Sequence, residues 1–160
     1  EKAGVESLLV VTPYYVRPPQ RGLVEYYVDL GRRFARPLLI YHIPGRTAVS
    51  VEIDTLARIA EKVSHFASIK HAVSDLGFAS EMPQHLGEDF RIFVGLEELS
   101  FPMMAVGAAG MMNAVGNIAP RTVSDLSLRC HEDRVADERR LHFDLFELNA
   151  AVFSTWIPLP

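Results

Sequence analysis

The feature that most constrains this chain is a short apolar run followed by a stretch with helical periodicity, a pattern that occurs five times along 160 residues. The apolar runs lie at residues 7–12, 38–41, 66–70, 90–94 and 110–114. Continuous apolarity over about four to six residues is typical of a strand buried on both faces. Strands that alternate with helices in this way predict an α/β fold with a parallel sheet and crossover helices.

Polar residues and glycines between the runs predict where the helices begin and end. Ser50 is the expected N-cap of a helix that reaches about residue 62, and Ser74 and Asp75 begin a helix that Gly87 ends. A turn is predicted at residues 44–46. The other helices are predicted over residues 20–34, 97–106, 120–131 and 135–153.

Two architectures fit this order of elements. An open doubly wound sheet that binds a dinucleotide requires a glycine-rich loop after its first strand, and the chain has neither that motif nor a P-loop. Its strand ends carry reactive side chains instead, at Thr12, Tyr14, Tyr41 and Lys70. The carboxyl ends of barrel strands form an active-site mouth, which favours part of an eight-stranded barrel. No Pro/Gly/Ser-rich linker divides the chain, so one domain is predicted.

The composition excludes several classes of protein. A hydrophobic content of 49% excludes a disordered chain, and a net charge of −4 excludes a strongly basic nucleic-acid binder. The single cysteine, Cys130, excludes an internal disulfide framework and favours a reducing compartment, so we expect a cytoplasmic protein. The histidines show no metal-ligand spacing, and no apolar run approaches the roughly 20 residues of a membrane span. We therefore expect no bound metal and no membrane partner.

Lys70 is the residue with the clearest chemical potential. It ends an apolar strand, where a long charged side chain is otherwise unfavourable. One interpretation is a lysine whose stem packs on the sheet while its amine reaches solvent. The other is a nucleophile, because an apolar wall disfavours the ammonium form and releases the lone pair for attack on a keto carbon.

The neighbouring strand offers partners for such an amine. Tyr41 ends the strand before Lys70, where its phenol either packs as an amphipathic ring or relays protons to and from an imine. Arg46 lies in the following loop, either solvated or holding a substrate carboxylate by paired hydrogen bonds. His42 and His71 follow Tyr41 and Lys70 and should point to the opposite face of the sheet, which indicates a structural role.

Four stretches of the sequence carry a resemblance to a known family. They are residues 10–15 (Val-Val-Thr-Pro-Tyr-Tyr), 17–23 (Arg-Pro-Pro-Gln-Arg-Gly-Leu), 40–47 (Ile-Tyr-His-Ile-Pro-Gly-Arg-Thr) and 68–70 (Ser-Ile-Lys). Together they resemble the dihydrodipicolinate synthase and N-acetylneuraminate lyase superfamily of Schiff-base, pyruvate-handling (β/α)8 barrels. The resemblance extends in order over about residues 1–155, and the Tyr-x-x-Pro-Gly-Arg-Thr element is more similar to the synthase branch.

The resemblance implies three catalytic residues and no cofactor. Lys70 matches the lysine that forms a covalent imine with pyruvate, and Tyr41 matches the tyrosine that relays protons. Tyr15 resembles a second relay tyrosine near a tight-dimer interface. The implied activity is a lyase that condenses pyruvate with an aldehyde, most similar to the enzymes that use aspartate semialdehyde in lysine biosynthesis.

The same resemblance implies four substrate-binding residues. Arg46 matches the arginine that meets the carboxylate of the aldehyde, and Tyr14 matches a tyrosine that packs into or reaches the partner's site. Gly95 and Met112 match strand ends that line the pyruvate pocket. The partners expected are therefore a keto acid, an aldehyde and further copies of the chain in a dimer or tetramer.

The chain ends also carry an expectation. Residues 1–4 read as the last turn of a helix, and residues 157–160 read as the start of a new element, so we expect an internal piece of a longer protein. The resemblance implies barrel strands four to eight over residues 1–132 and the start of a C-terminal helical extension over residues 133–160. Other pyruvate aldolases and keto-sugar-acid dehydratases remain alternatives, because His71 and residues 96–98 depart from the usual synthase pattern. An inactive truncated barrel also remains an alternative, because the resemblance implies that strands one to three are missing from this sequence.

Overall fold

The computed structural model describes residues 4–154, in which a five-stranded parallel sheet forms the centre of the fold. The strands are β1 (Leu8–Val11), β2 (Leu38–His42), β3 (Phe66–His71), β4 (Arg91–Val94) and β5 (Gly110–Met111). Their spatial order is the same as their order along the chain, and every neighbouring pair is parallel. The predicted α/β fold with a parallel sheet is therefore confirmed.

Helices connect the strands and continue past the last one. They are α1 (Gln20–Arg33), α2 (Pro44–Thr47), α3 (Ile53–Ala60), α4 (Leu76–Leu86), α5 (Ser100–Ala105), α6 (Pro120–His131), α7 (Val135–Asp144) and α8 (Phe146–Ser154). Short 3₁₀ turns precede α5 and α6, at Glu97–Leu99 and Val115–Asn117. No helix among residues 4–154 is both long enough and apolar enough to cross a membrane.

The hydrophobic core lies between the sheet and its helices. Ile40, Ile69 and Ile92, on three adjacent strands, are almost completely buried there and pack with the apolar faces of α1, α3 and α4. The opposite face of the sheet is more open, and Leu9 on β1 is 45% exposed. Because alternate residues of a strand point to opposite faces, Tyr41 and Lys70 belong to this second, more open face.

The structure differs from the predicted boundaries at several places: the turn expected at residues 44–46 is the short helix α2, and the helix expected over residues 97–106 is a 3₁₀ turn followed by α5. Ser50 does not cap α3; the side-chain oxygen of Gln20 instead accepts hydrogen bonds from the Glu52 amide and the Thr55 hydroxyl. The expected helix over residues 135–153 is two helices, with Leu145 between them. The fifth strand covers two residues rather than five. The expectations for residues 1–3 and 157–160 lie outside the described residues.

Candidate active site

Strand pairing places Tyr41 and Lys70 side by side. The two residues are direct neighbours in the parallel register of β2 and β3, and both side chains are half-buried. The Lys70 Nζ lies 4.1 Å from the centroid of the Tyr41 ring. The quadrupole of an aromatic ring attracts a lysine in its ammonium form, and the phenol of Tyr41 can both donate and accept a proton.

A cavity of about 520 Å³ opens where β1 and β2 end. Its walls combine the apolar end of the sheet with two phenols, one guanidinium and one hydroxyl. The lining residues are Val11, Tyr14, Tyr41, Ile43, Arg46 and Thr47. Such a space, apolar with a few polar groups, suits a small organic substrate.

The short helix α2 presents Arg46 to this cavity. Pro44 occupies the first helical turn, and Ala48 ends the helix in the left-handed conformation (φ 54°). The Thr47 hydroxyl lies 3.2 Å from the carbonyl oxygens of Ile43 and Val49, which fixes the turn against the chain that follows. Arg46 itself is exposed at the rim, where a guanidinium can meet an incoming carboxylate.

Thr12 has a structural role in the described chain. Its side chain is completely buried, and its hydroxyl donates a 3.1 Å hydrogen bond to the hydroxyl of Thr47. Thr12 thereby joins the end of β1 to α2, and so helps to hold the helix that carries Arg46. The interpretation of Thr12 as a reactive group at the strand end is not tested by this contact and stays a prediction.

Gly95 and Met112 lie at the ends of β4 and β5, where backbone hydrogen bonds continue the strand ladder. The Gly95 amide donates to the His71 carbonyl at 2.8 Å, and the Met112 amide donates to the Val94 carbonyl at 2.8 Å. A Cβ at position 95 would lie 2.9 Å from the Cβ of Ala72 and 3.2 Å from the His71 carbonyl oxygen. Glycine is therefore required for the close approach of the chain beyond β3 and β4.

The adjacent tyrosines Tyr14 and Tyr15 have different surroundings. Tyr14 is 67% exposed yet lines the cavity together with Tyr41. Tyr15 is 92% exposed, is not among the cavity-lining residues, and has a positive φ of 66° that is rare for an aromatic residue. Within one chain, the structure thus brings Tyr14 but not Tyr15 to the wall of the cavity.

His42 and His71 lie on the face of the sheet opposite Tyr41 and Lys70, as predicted. Both rings are buried, and their Nδ1 atoms are 3.2 Å apart. The pKa of both imidazoles is lowered to about 4, mainly by burial and, for His42, also by charge repulsion from His71. The negative charge of the Asp75 carboxylate raises both pKa values and so partly offsets the effect of burial. The contact between the two rings was not predicted from the sequence.

Glu97 and Glu98 are adjacent in the chain but have different surroundings. Glu97 is buried, and its Oε1 accepts hydrogen bonds from the amides of Ala114 and Val115, just beyond β5. Glu98 is exposed and lines a second cavity of about 300 Å³ beside α8. Glu97 therefore organises the chain after β5 rather than the helix in which it lies. Among residues 4–154, no group of three His, Cys, Asp or Glu is arranged to hold a metal ion.

A family model for the dihydrodipicolinate synthetase family matches residues 1–160. The chain belongs to this family. Curated relatives include 4-hydroxy-tetrahydrodipicolinate synthases from Thermus thermophilus, 37% identical over 161 residues, and from Fervidobacterium nodosum, 35% identical over 160 residues. Each match covers 100% of this chain but only 54% and 55% of the relatives. The chain therefore spans about half the length of these members of the dihydrodipicolinate synthetase family.

Solved structures of the family superpose closely on the fold. The dihydrodipicolinate synthase from Aquifex aeolicus gives a TM-score of 0.95 at 33% identity. The match includes 99% of this chain and 54% of the Aquifex chain. The 4-hydroxy-tetrahydrodipicolinate synthase from Methylacidiphilum fumariolicum also gives 0.95 at 33% identity, with 99% and 53% coverage. The five-stranded sheet and its helices thus have the arrangement found in about half of a dihydrodipicolinate synthase.

Proposed function

We propose that this chain carries the nucleophile of a Schiff-base lyase, 4-hydroxy-tetrahydrodipicolinate synthase, which condenses pyruvate with aspartate semialdehyde. The observation that carries the proposal is the pairing of Lys70 with Tyr41 at the carboxyl ends of adjacent strands, where Tyr41, but not Lys70, lines a cavity of substrate size. The names of the relatives support the same activity. They also favour the synthase over the other pyruvate aldolases and the keto-sugar-acid dehydratases.

The proposed reaction uses the Lys70 amine and requires no separate cofactor. The neutral amine adds to C2 of pyruvate, and loss of water from the carbinolamine gives an imine. Removal of a proton from C3 converts the imine to an enamine, whose C3 then forms a bond to the aldehyde carbon. The hydroxyl of Tyr41, whose ring lies under the amine, is the proposed relay for the protons that enter and leave the carbinolamine oxygen. The amino group contributed by aspartate semialdehyde then adds to C2 of the lysine imine and displaces the Lys70 amine, which closes the ring of 4-hydroxy-tetrahydrodipicolinate and returns Lys70 to its free form.

The other site residues are proposed to bind the two substrates. Arg46 at the rim of the cavity would hold the carboxylate of the aldehyde by paired hydrogen bonds. Gly95 and Met112, at the ends of β4 and β5, would line the pyruvate side, and Tyr14 would line the wall it shares with Tyr41. The exposed Tyr15 would act as a relay in an assembled dimer or tetramer, which its 92% exposure in a single chain leaves sterically open.

The fold position of the chain belongs to the same proposal. We assign β1 to β5 to strands four to eight of an eight-stranded barrel, with residues 1–132 in the barrel and residues 133–160 in a C-terminal helical extension. Two features support this assignment: the sequential parallel order of the strands and the match to about half of each relative. A cytoplasmic location is part of the proposal and agrees with the single cysteine.

Borohydride trapping in the complete natural chain tests the proposed imine. The sequence contains three lysines, Lys2, Lys62 and Lys70, so peptide mapping identifies the labelled site directly. We expect pyruvate and borohydride to add one reduced pyruvate at Lys70, and Lys70→Ala to abolish the label. The matched control is Lys62→Ala, because Lys62 is exposed beyond the end of α3. Equal labelling of the parent and Lys70→Ala would exclude Lys70 as the nucleophile.

A panel of second substrates tests the identity of the aldehyde. We expect turnover of pyruvate with aspartate semialdehyde, and weaker turnover with aldehydes that lack a carboxylate for Arg46. Turnover of other aldehydes or of sugar acids, with none of aspartate semialdehyde, would support the alternative aldolase or dehydratase activities. Failure of every substrate together with absence of the Lys70 label would support the inactive alternative.

A further inference from the structure

The strand pair that carries Tyr41 and Lys70 also carries a buried histidine pair on its other face. We propose that His42 and His71 are positioning residues for the Schiff-base reaction, because their mutual hydrogen bond holds β2 and β3 in the register that places Tyr41 beside Lys70. The inference rests on the proposed function and assigns to it two residues that touch neither the cavity nor a reacting atom.

The register of the two strands links the two pairs directly. Tyr41 is opposite Lys70, and at the next position His42 is opposite His71. Successive side chains point to opposite faces of a sheet, so the histidine pair lies immediately behind the proposed catalytic pair. The Nδ1–Nδ1 distance of 3.2 Å is a hydrogen-bond distance, so the two imidazoles join the strands at the same level as the catalytic residues.

The register of β2 against β3 needs such a constraint because it is irregular nearby. Leu38 is opposite Phe66, but Leu39 is opposite Ser68, so the residue of β3 between Phe66 and Ser68 has no partner on β2. A slip of one residue would exchange the two faces of a strand and move Lys70 from the open face to the helix-covered face. His42 lies opposite His71 only in the register that follows this irregularity in the native structure.

The hydrogen bonds around the pair assign one protonation pattern at neutral pH. The Val51 amide donates to the His42 Nε2 at 3.2 Å, so the neutral His42 carries its proton on Nδ1. His42 Nδ1–H then donates to the Nδ1 of His71, and the proton of His71 lies on Nε2. That Nε2 is buried without a hydrogen-bond partner in the described part of the chain. A further proton on either ring would place two N–H groups against each other or against Val51, and would break the pattern.

Few ionisable groups surround the pair. Phe78 of α4 stacks on His71, with ring centroids 4.5 Å apart and planes 10° from parallel, and lies 5.7 Å from His42. Val51, which precedes α3, contributes only its amide. The Asp75 carboxylate is the charged group that acts on both rings, and it is already engaged as the N-cap of α4 through the Phe78 amide. Burial and repulsion from His71 therefore lower the pKa of His42, whereas the Asp75 carboxylate raises the pKa of both rings and the Asp75 backbone raises that of His71.

The test uses three variants of the complete natural chain. His71→Asn keeps an acceptor near the position of Nδ1 and removes one titrating ring, whereas His71→Leu removes the acceptor. Ile69→Val is the matched control, because Ile69 is fully buried on the same face of the same strand and makes no polar contact there. The rate of imine trapping at Lys70 and the kcat and KM for pyruvate are measured from pH 4 to 8, at a temperature where circular dichroism shows each variant folded.

We expect His71→Leu to lower the trapping rate and kcat by about tenfold or more at pH 7.5, since small displacements of reacting groups cost one to two orders of magnitude. The KM for pyruvate should change less than the rate. His71→Asn should retain most of the parental rate at pH 7.5 and show a shallower fall on the acid side. Ile69→Val should keep both the parental rate and the parental pH profile.

Several outcomes would overturn the inference while leaving the proposed function intact. In the first, the parent is labelled at Lys70 and a folded His71→Leu variant is trapped at the parental rate. In the second, the trapping rate falls equally in His71→Leu and Ile69→Val. If His71→Leu does not fold, an unchanged pH profile in His71→Asn overturns the inference, and a shallower one supports it. Absence of the Lys70 label in the parent would instead contradict the proposed function, and the positioning role would fall with it.

Discussion

The Nζ of Lys70 lies over the face of the Tyr41 ring, 4.1 Å from its centroid, across the boundary between β2 and β3. The two side chains are neighbours because the strands are parallel and in register at this point. The amine thus lies over the aromatic face of the residue that also carries the phenolic hydroxyl. This relationship separates two functions of Tyr41 that a single substitution can distinguish.

Tyr41→Phe keeps the ring beside Lys70 and removes only the hydroxyl. If the hydroxyl relays protons, the rate of imine trapping with pyruvate should fall about 10²-fold or more, the usual contribution of a general acid–base group. The free energy of unfolding should change little, because Tyr41 is only half-buried. Tyr26→Phe is the control, since that tyrosine lies on the outer part of α1 against Tyr27. Trapping by Tyr41→Phe at the parental rate would exclude the relay.

Arg46→Ala tests recognition of the second substrate. Loss of a charge-assisted hydrogen bond is worth about 1.5–3 kcal/mol, or roughly 10- to 100-fold in affinity. We therefore expect the KM for aspartate semialdehyde to rise by about that factor, while imine formation with pyruvate stays close to the parental rate. Arg36→Ala, at an exposed position just before β2, should change neither quantity. An equal loss with both substrates would place Arg46 on the pyruvate side instead.

The sequence predicted the architecture because the relevant signals are local. The runs at residues 38–41 and 66–70 are apolar enough to identify buried strands, and parallel order then brings their ends together. The juxtaposition of Tyr41 with Lys70 follows from that order. The opposite orientation of His42 and His71 follows from strand alternation, and the register that pairs Tyr41 with Lys70 also pairs these two histidines.

The features that the sequence did not predict depend on contacts between distant parts of the chain. Gln20 caps the start of α3 from 32 residues away, and Glu97 binds amides 17 residues further along. Neither residue has a local pattern that distinguishes it from an ordinary polar residue. The break at Leu145 carries no glycine or proline, so helical periodicity continues across it. Tertiary packing decides these details, and local propensity does not.

Gly95→Ala should destabilise the fold because the new methyl group has no space. It would lie 2.9 Å from the Ala72 Cβ and 3.2 Å from backbone atoms of Ala72 and His71. Forcing such an atom into a packed region costs about 1–3 kcal/mol, which urea unfolding would measure. Gly45→Ala is the matched control, since a Cβ there meets nothing within 4 Å. Equal free energies of unfolding for the two variants would show that the backbone at His71 and Ala72 can shift to make room for the methyl group at little cost.

The buried histidines predict a loss of stability in mild acid. In the folded protein the pKa of both His42 and His71 is lowered to about 4, against an ordinary value of 6.5. Between these values the unfolded chain binds more protons than the folded one, so the free energy of unfolding decreases as the pH falls from about 6.5 towards 4. The stabilisation is fully present above pH 6.5.

The size of this effect can be measured by urea unfolding from pH 7.5 to 4.5. One pKa unit corresponds to about 1.4 kcal/mol, so the two rings together should contribute a decrease of a few kcal/mol over this range. His71→Asn removes one of the titrating groups and should give a shallower decrease than the parent. His85→Asn is the control, because the exposed His85 lies on α4 beside Glu81 and away from the pair. Parallel curves for the parent and His71→Asn would show that the ring of His71 takes up protons equally in the folded and unfolded chain.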